Sequence, residues 1–322
     1  MLYKLDKKDK KLIYELDLNS RRTLSKIGKK VGLTKNSVMY RIENLKKQGV
    51  IKNFHTILDV GKLGYISFRL YLDLQGVTKK KENEILNYLK DQRIITWIVS
   101  VDGEYDLAML LLVKDIKELT SFWNKLFNKY LNYINRRSLV VMNSSYYYSR
   151  AYLLDLKKND YGIRFISEPD ETIVDKADLK ILEFLAPNSD ISIIELSRKT
   201  KLNPKTVISR IKKMEKEKVI LGYKAVLDLD KLGYQYYKIQ FRLHNLKKGD
   251  LEKLKSYVFL HPNIVYRNEI LGGDDLDIEV QVRDVSDLRN LLEEMKEKFG
   301  EVIYDYNFLH YYKEHKFLLM PV

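Results

Sequence analysis

The chain has 322 residues, 45% of them apolar, and its 58 Lys and Arg against 44 Asp and Glu leave a net charge of +14. That length allows roughly two to four domains, and the positive surplus favours a polyanionic partner, nucleic acid ahead of an anionic membrane surface. Cysteine is absent, which excludes disulfides, cysteine-ligated zinc, iron–sulfur clusters and thiol catalysis. The charged start MLYKLDKKDKK carries no apolar signal segment, and the apolar run LAMLLLV at 107–113 is far too short to span a bilayer. A cytoplasmic protein without a membrane partner is expected.

The first elements are helical. Asp6 can N-cap a helix carrying Leu12, Ile13 and Leu16 at helical spacing. After the polar break LNSRR, Thr23 can cap a short second helix with Leu24, Ile27 and Val31. Gly32-Leu33-Thr34 then supplies a residue suited to positive φ, a leucine to bury and an N-cap. The third helix, about 35–48, buries Val38, Ile42 and Leu45 and ends at Gly49. VIKNFHTIL alternates like a strand pair turning at Lys52-Asn53. Three helices and a small hairpin make a winged helix-turn-helix.

The next stretch changes period. Strand-like FRLYLDL (68–74) precedes a helix at 82–91. Strands at 95–101 and 105–113 flank the turn Asp102-Gly103-Glu104, and an amphipathic helix at 116–131 leads to a last strand at 138–148. Strand–helix–strand–strand–helix–strand is the ferredoxin-like split βαβ order. Residues 156–171, with Gly162 and Pro169 and no clear periodicity, read as a linker.

From Asp175 the whole pattern repeats without a gap, each residue lying 169 positions after its counterpart. About a third of the pairs between 6–65 and 175–234 are identical, among them Asp9/Asp178, Arg41/Arg210 and Ile51/Ile220. A unit this long is a duplicated building block, far beyond a solenoid repeat. The expected class is therefore α+β, with winged helix-turn-helix units at 1–62 and 172–231 and ferredoxin-like βαββαβ units at 63–155 and 232–322. Local substitutions preserve the pattern: Asn203 replaces Thr34 as N-cap, and Pro204 takes the first helical position. Lys201 replaces the turn glycine, so that turn must adapt or carry strain.

NSRRTLSKIGKKVGLTKNSVMYRIENLKKQGVI, with LDKKDKKLIYEL before it and LDVGKLGY after it, resembles the leucine-responsive regulator family (Lrp/AsnC). The second part resembles that family's RAM domain, including its G-x-x-D signature as Gly103-x-x-Asp106 and again as Gly272-x-x-Asp275. The resemblance covers essentially the whole chain, twice. It implies a DNA-binding regulator that dimerises through RAM sheets and answers to a small, often amino-acid-like effector near the turn between the second and third strands of the RAM sheet. Here both halves of such a dimer lie in one polypeptide, so a covalent pseudo-dimer is expected, open to further homodimerisation.

Candidate DNA contacts follow from the third helix. With Val38, Ile42 and Leu45 inward, Lys35, Asn36, Ser37, Tyr40, Arg41 and Asn44 lie on or beside the opposite face, joined by Lys52 from the wing. Asn and Arg suit bidentate base contacts; Lys, Ser and Tyr suit phosphates. Copy two offers Lys205, Thr206, Ser209, Arg210 and Lys213. Residues 1–50 carry about +9 and 170–222 about +2, with Arg21-Arg22 facing Asp190-Ile191 in alignment. The first reader is therefore expected to supply most of the DNA affinity, with two recognition helices entering major grooves about one helical turn, ~34 Å, apart. Gly103, Asp106, Gly272 and Asp275 are the candidate effector residues, against a plain turn role for Gly and Asp. Trp97 and its counterpart Tyr266 read as core or interface.

Five histidines show no metal-ligand spacing, and there is neither a phosphate-cradling glycine loop nor a supported pair of catalytic carboxylates. No metal, cofactor or enzymatic activity is expected. The rival readings are a siroheme decarboxylase-like enzyme of the same fold, whose histidine-containing Asn/Tyr/Arg run is missing from WIVSVDGEYDLAMLLL and YRNEILGGDDLDIEVQV, and a low-specificity architectural DNA-binding protein.

Overall fold

The computed structural model describes residues 2–167, 169, 174–318 and 320. Helices α1 (Lys7–Asn19), α2 (Leu24–Val31) and α3 (Lys35–Lys47) open the chain. Each starts at a residue whose side chain accepts a backbone N–H: Asp6, Thr23 and Thr34. Asp9 returns the bond at the first cap, closing a capping box. Two glycines shape the passage from α2 to α3, one within α2 and one at its end. Gly32 holds the left-handed conformation at φ 71°, and a Cβ on Gly28 would meet the Leu33 carbonyl at 2.5 Å. Leu12, Ile13, Ile27, Val38 and Leu45 make the small core beneath.

Strand β1 (Ile51–Leu58) follows, then β2 (Ile66–Leu74), α4 (Lys79–Lys90), β3 (Ile95–Asp102), β4 (Leu107–Val113), α5 (Ile116–Tyr130), β5 (Ile134–Tyr148) and β6 (Gly162–Ile166). Copy two supplies α6 (Lys176–Leu185), α7 (Ile193–Thr200), α8 (Pro204–Lys216), β7 (Ile220–Leu227), the short α9 (Leu229–Leu232), β8 (Gln235–Leu243), α10 (Asp250–Leu260), β9 (Ile264–Leu271), β10 (Leu276–Val282), α11 (Val285–Phe299) and β11 (Ile303–Phe317). No helix among the described residues is long and apolar enough to cross a membrane.

Two features depart from the sequence reading. Residues 51–58 form one continuous strand with no turn at Lys52-Asn53, and β1 pairs antiparallel with β7 of the other copy. The expected hairpin is thus replaced by a ribbon that joins the copies. In its register His55 faces Lys224. These two are 169 apart, so the internal pseudo-two-fold passes between them. Ser20 and Ser189, again counterparts, meet through their hydroxyls at 3.3 Å. The stretch read as a linker contains β6, which adds to β5.

The sheets form a ring. Strands β2, β3, β4 and the first half of β5 build one ferredoxin-like sheet under α4 and α5, and β8, β9, β10 with the first half of β11 build the other under α10 and α11. Both 15-residue strands then cross over. The second half of β5 pairs with β9, from Val141↔Leu271 to Tyr147↔Tyr266. The second half of β11 pairs with β3, from His310↔Asp102 to Phe317↔Trp97. The order β2-β4-β3-β11-β8-β10-β9-β5 closes on itself because β5 also pairs with β2. Closure pairs the sheets of the two copies with each other and encloses a space between them.

Candidate DNA-reading faces and an internal polar cavity

On α3 the residues Lys35, Asn36 and Tyr40 are exposed, and Ser37 lies beside them with its hydroxyl 3.0 Å from that of Thr34. On α8, Lys205, Ser209 and Lys213 are exposed and Thr206 is half-buried. Arg41 and Arg210 are each engaged within their own unit. Arg41 Nη1 donates to Asp6 Oδ2 at 2.7 Å and Asp9 Oδ1 at 2.6 Å. Arg210 repeats this with Asp175 Oδ2 at 2.7 Å and Asp178 Oδ1 at 2.9 Å. The Asp9 backbone N–H, helped by Arg41, holds the Asp6 carboxyl below its ordinary value. The identical Asp–Asp–Arg triad therefore ties the recognition helix to the first helix of each unit. Asn44 is engaged too, donating to Tyr3 Oη at 3.1 Å. Lys52 lies in the ribbon with Nζ 3.7 Å from Asp228, away from any wing tip.

The charge difference between the copies also has an internal use. Arg21 Nη1 donates to the Ser189 carbonyl at 2.7 Å, and its guanidinium lies over the Tyr223 ring at 5.3 Å. Lys46 pairs with Asp190 at 2.6 Å, whereas Arg22 is held within its own unit by Glu15 at 2.6 Å. Part of the first unit's positive surplus thus clamps it onto the second.

The G-x-x-D turns serve the backbone. Asp106 Oδ2 accepts from Leu74 N at 2.6 Å, and Asp275 Oδ2 accepts from Leu243 N at 2.7 Å, so each carboxylate pins the end of a neighbouring strand. Gly103 has φ 137°, and a Cβ there would lie 2.9 Å from the Phe308 carbonyl. Gly272, at φ 87°, needs glycine for its backbone conformation. The plain turn role weighed for these four residues is thus fully served by the backbone.

A cavity of about 240 Å³ lies between the sheets, beneath the β1–β7 ribbon. Its two walls differ. From β3 and β4 of copy one come Trp97, Val99, Leu110 and Leu112; from β9 and β10 of copy two come Tyr266, Asn268, Glu279 and Gln281. The counterpart strands explain this: LAMLLLV at 107–113 aligns with LDIEVQV at 276–282. In the latter, Leu276, Ile278, Val280 and Val282 pack toward the helices, which sends Asp277, Glu279 and Gln281 to the inner face. Strict apolar–polar alternation in a strand buried on both faces was the available signal, and sequence reasoning passed over it.

Charge is dense around this space. Arg69 Nη2 lies 3.5 Å from Glu279 Oε1, and its guanidinium stacks over Trp97 at 4.7 Å. Lys238 pairs with Asp277, both fully buried. Arg150 pairs with Asp17 of α1, which also accepts from Tyr147 Oη. Arg150 Nε donates to Gln281 Oε1 at 3.0 Å. Lys224 Nζ sits 3.1 Å above the Tyr147 ring centre and 4.0 Å from Asp17. Burial and the neighbouring Arg150 push the Lys224 ammonium well below its ordinary value, and burial raises Asp277. Burial, with Lys224 and Arg150 nearby, likewise keeps His55 neutral. Trp97 and Tyr266, read as core or interface, line this cavity.

Residues 5–52 and 174–220 match the family model for winged helix-turn-helix DNA-binding. An uncharacterized HTH-type transcriptional regulator of Pyrococcus abyssi is 34% identical over 137 residues, which is 42% of this chain and 88% of that protein. The HTH-type transcriptional regulator Ptr1 of Methanocaldococcus jannaschii is 31% identical over 118 residues, 37% of this chain and 78% of its own. Across 98% of this chain and 94% of the other, the fold is similar to that of the siroheme decarboxylase NirDL, with a TM-score of 0.65 and 13% identity, a likeness of fold alone. With the DNA-binding model matched twice, and relatives about one repeat long, the chain belongs to the Lrp/AsnC family of helix-turn-helix transcription regulators and is a DNA-binding regulator carrying the family's unit in tandem.

Proposed function

We propose that the chain acts in the cytoplasm as a covalent pseudo-dimer that reads an asymmetric operator through two unequal recognition helices. The observation that carries this reading is the reciprocal exchange of β5 and β11, which with the β1–β7 ribbon fastens both readers to one body. The functional units run 1–62 and 172–231 for the readers, and 63–155 and 232–322 for the sheets. Lys35, Asn36, Ser37 and Tyr40 face the first half-site; Lys205, Thr206, Ser209 and Lys213 face the second. Asn36 is the residue suited to a bidentate adenine contact, and copy two has Lys205 there, so the half-sites differ.

Selection of bound duplexes at physiological salt tests the reading, with two half-sites of different sequence expected. Lys35→Glu should weaken binding about tenfold more than Lys205→Glu. A palindromic consensus with equal losses would overturn it. We read the chain as a non-enzyme. A second reading, siroheme decarboxylation, draws support from the fold likeness over nearly the whole chain and from the cationic cavity. Against it stands the cavity volume of about 240 Å³, below the roughly 300–1,000 Å³ of drug-sized pockets. Titration with siroheme decides: an unchanged Soret band removes the enzyme reading.

A further inference from the structure

We propose that the cavity between the sheets is a binding site for a compact monocarboxylate with an apolar body, and that its occupancy is passed to the first DNA reader through Asp17. Four polar groups point the way. Among the described residues, His55 Nδ1, Arg69 Nε, Gln281 Nε2 and Tyr311 Oη have no hydrogen-bond partner, and all four residues line this one cavity. Their exposures are 5%, 6%, 1% and 6%. Buried polar groups in native proteins are almost always partnered, so a cluster of unpartnered ones around a single space marks where a partner is received.

The chemistry of these groups selects that partner. An arginine Nε–H and an amide Nε2–H only donate, and a tyrosine hydroxyl and a neutral imidazole can donate. The ligand must therefore present acceptor oxygens. The nearest cation has capacity to spare: Arg69 reaches Glu279 only at 3.5 Å. Glu279 and Glu314 also line the space, which opposes a dianion such as phosphate and leaves room for one negative charge. The opposite wall of Val99, Leu110 and Leu112 beside Trp97 suits an apolar body.

The route to the reader is short. Gln281 accepts from Arg150, Arg150 pairs with Asp17, and Asp17 belongs to α1, the helix that anchors α3 through the Asp6–Asp9–Arg41 triad. Copy two has Ala186 at the position of Asp17, so the coupling is one-sided. Only this coupling rests on the DNA-binding reading; the site does not.

Calorimetry on the full chain with benzoate and 4-methylvalerate, against benzamide and inorganic phosphate, tests the site. Saturable binding of at least one monocarboxylate is expected, with benzamide at least tenfold weaker than benzoate and phosphate inert. Tyr311→Phe removes only an unpartnered hydroxyl and should weaken binding about tenfold at unchanged melting temperature. Gln281→Glu keeps the acceptor for Arg150, replaces the free donor by a charge, and should abolish binding. No monocarboxylate binding at 10 mM, equal binding of phosphate, or indifference to both substitutions overturns the site. The bound carboxylate should also shift the affinity of the chain for its selected duplex, and Asp17→Asn should cancel the shift while calorimetric binding persists. Calorimetric binding with unchanged DNA affinity overturns the coupling.

Discussion

Lys201 and Lys218 hold left-handed backbone at φ 59° and 60°, where copy one has Gly32 at 71° and Gly49 at 68°. The strain foreseen at Lys201 is thus kept rather than relieved by a changed turn, and Lys218 repeats it. A side chain in this region costs about 1–2 kcal/mol, partly offset by the lower chain entropy of lysine in the unfolded state. Lys201→Gly should therefore stabilise the protein by about 0.5–1 kcal/mol, seen as a higher denaturant midpoint at unchanged slope; a lower midpoint would show that the side chain contributes more than its strain. Ser197 shows the reverse adaptation. It replaces the tightly packed Gly28 and uses its hydroxyl to donate to the Leu202 carbonyl at 2.6 Å.

Histidine titration belongs to the same scale. Burial holds His261 down to about 4, and burial with Lys90 and Lys313 does the same for His315. Unfolded, each would bind its proton near the ordinary value of about 6.5. Between those values the unfolded chain binds more protons, so stability is full above pH 6.5 and falls as pH drops toward 4, by up to about 1.4 kcal/mol per pH unit for His261 and by less for the more exposed His315. His261→Gln should flatten that slope in melting curves taken from pH 7 to pH 4. An unchanged slope would place the imidazole in ordinary solvent.

At the scale of elements, the order of helices and strands was legible because each has its own period: 3.6 in α1–α3 with capping residues before them, and near-continuous apolar runs such as LAMLLLV in β4. What the sequence left hidden is partnership. A strand's alternation says which face is buried and nothing about which strand it bonds, so β1 read equally well as half of a local hairpin. The same holds for β5, whose 15 residues serve two different sheets. The site was hidden for a related reason. Asp277 and Lys238 look like solvent-facing positions in β10 and β8, yet both are fully buried as a pair. Their counterparts are Ala108 and Arg69. Asp277→Ala should cost about 3–5 kcal/mol by leaving the buried Lys238 ammonium with only Glu279, 4.0 Å away, and adding Lys238→Met should restore most of it. A double variant no better than the single would show that the pair holds more than its own charge.

The whole molecule is a ring that only the tandem chain closes by itself. Cut between the copies, residues 1–167 would keep α1–α5 and their cores but lose β9, the partner of the second half of β5, and β11, the partner of β3. Those edges are long and partly apolar, Val99, Val101, Tyr147 and Tyr148 among them, and unpaired edges of this kind recruit another chain. The isolated first copy should therefore form a homodimer by the same reciprocal exchange, with twice the monomer mass in light scattering. Its ribbon would pair β1 with β1, bringing His55 against His55. Its cavity would present Val99, Leu110 and Leu112 twice and neither Glu279 nor Gln281. The homodimer should then fold while losing the polar wall, so carboxylate binding should be absent from it and present in the tandem chain. A stable monomer of the first copy would show that strand exchange is incidental to its folding. A homodimer that binds the same carboxylates would show that the duplication's drift is not what built the site.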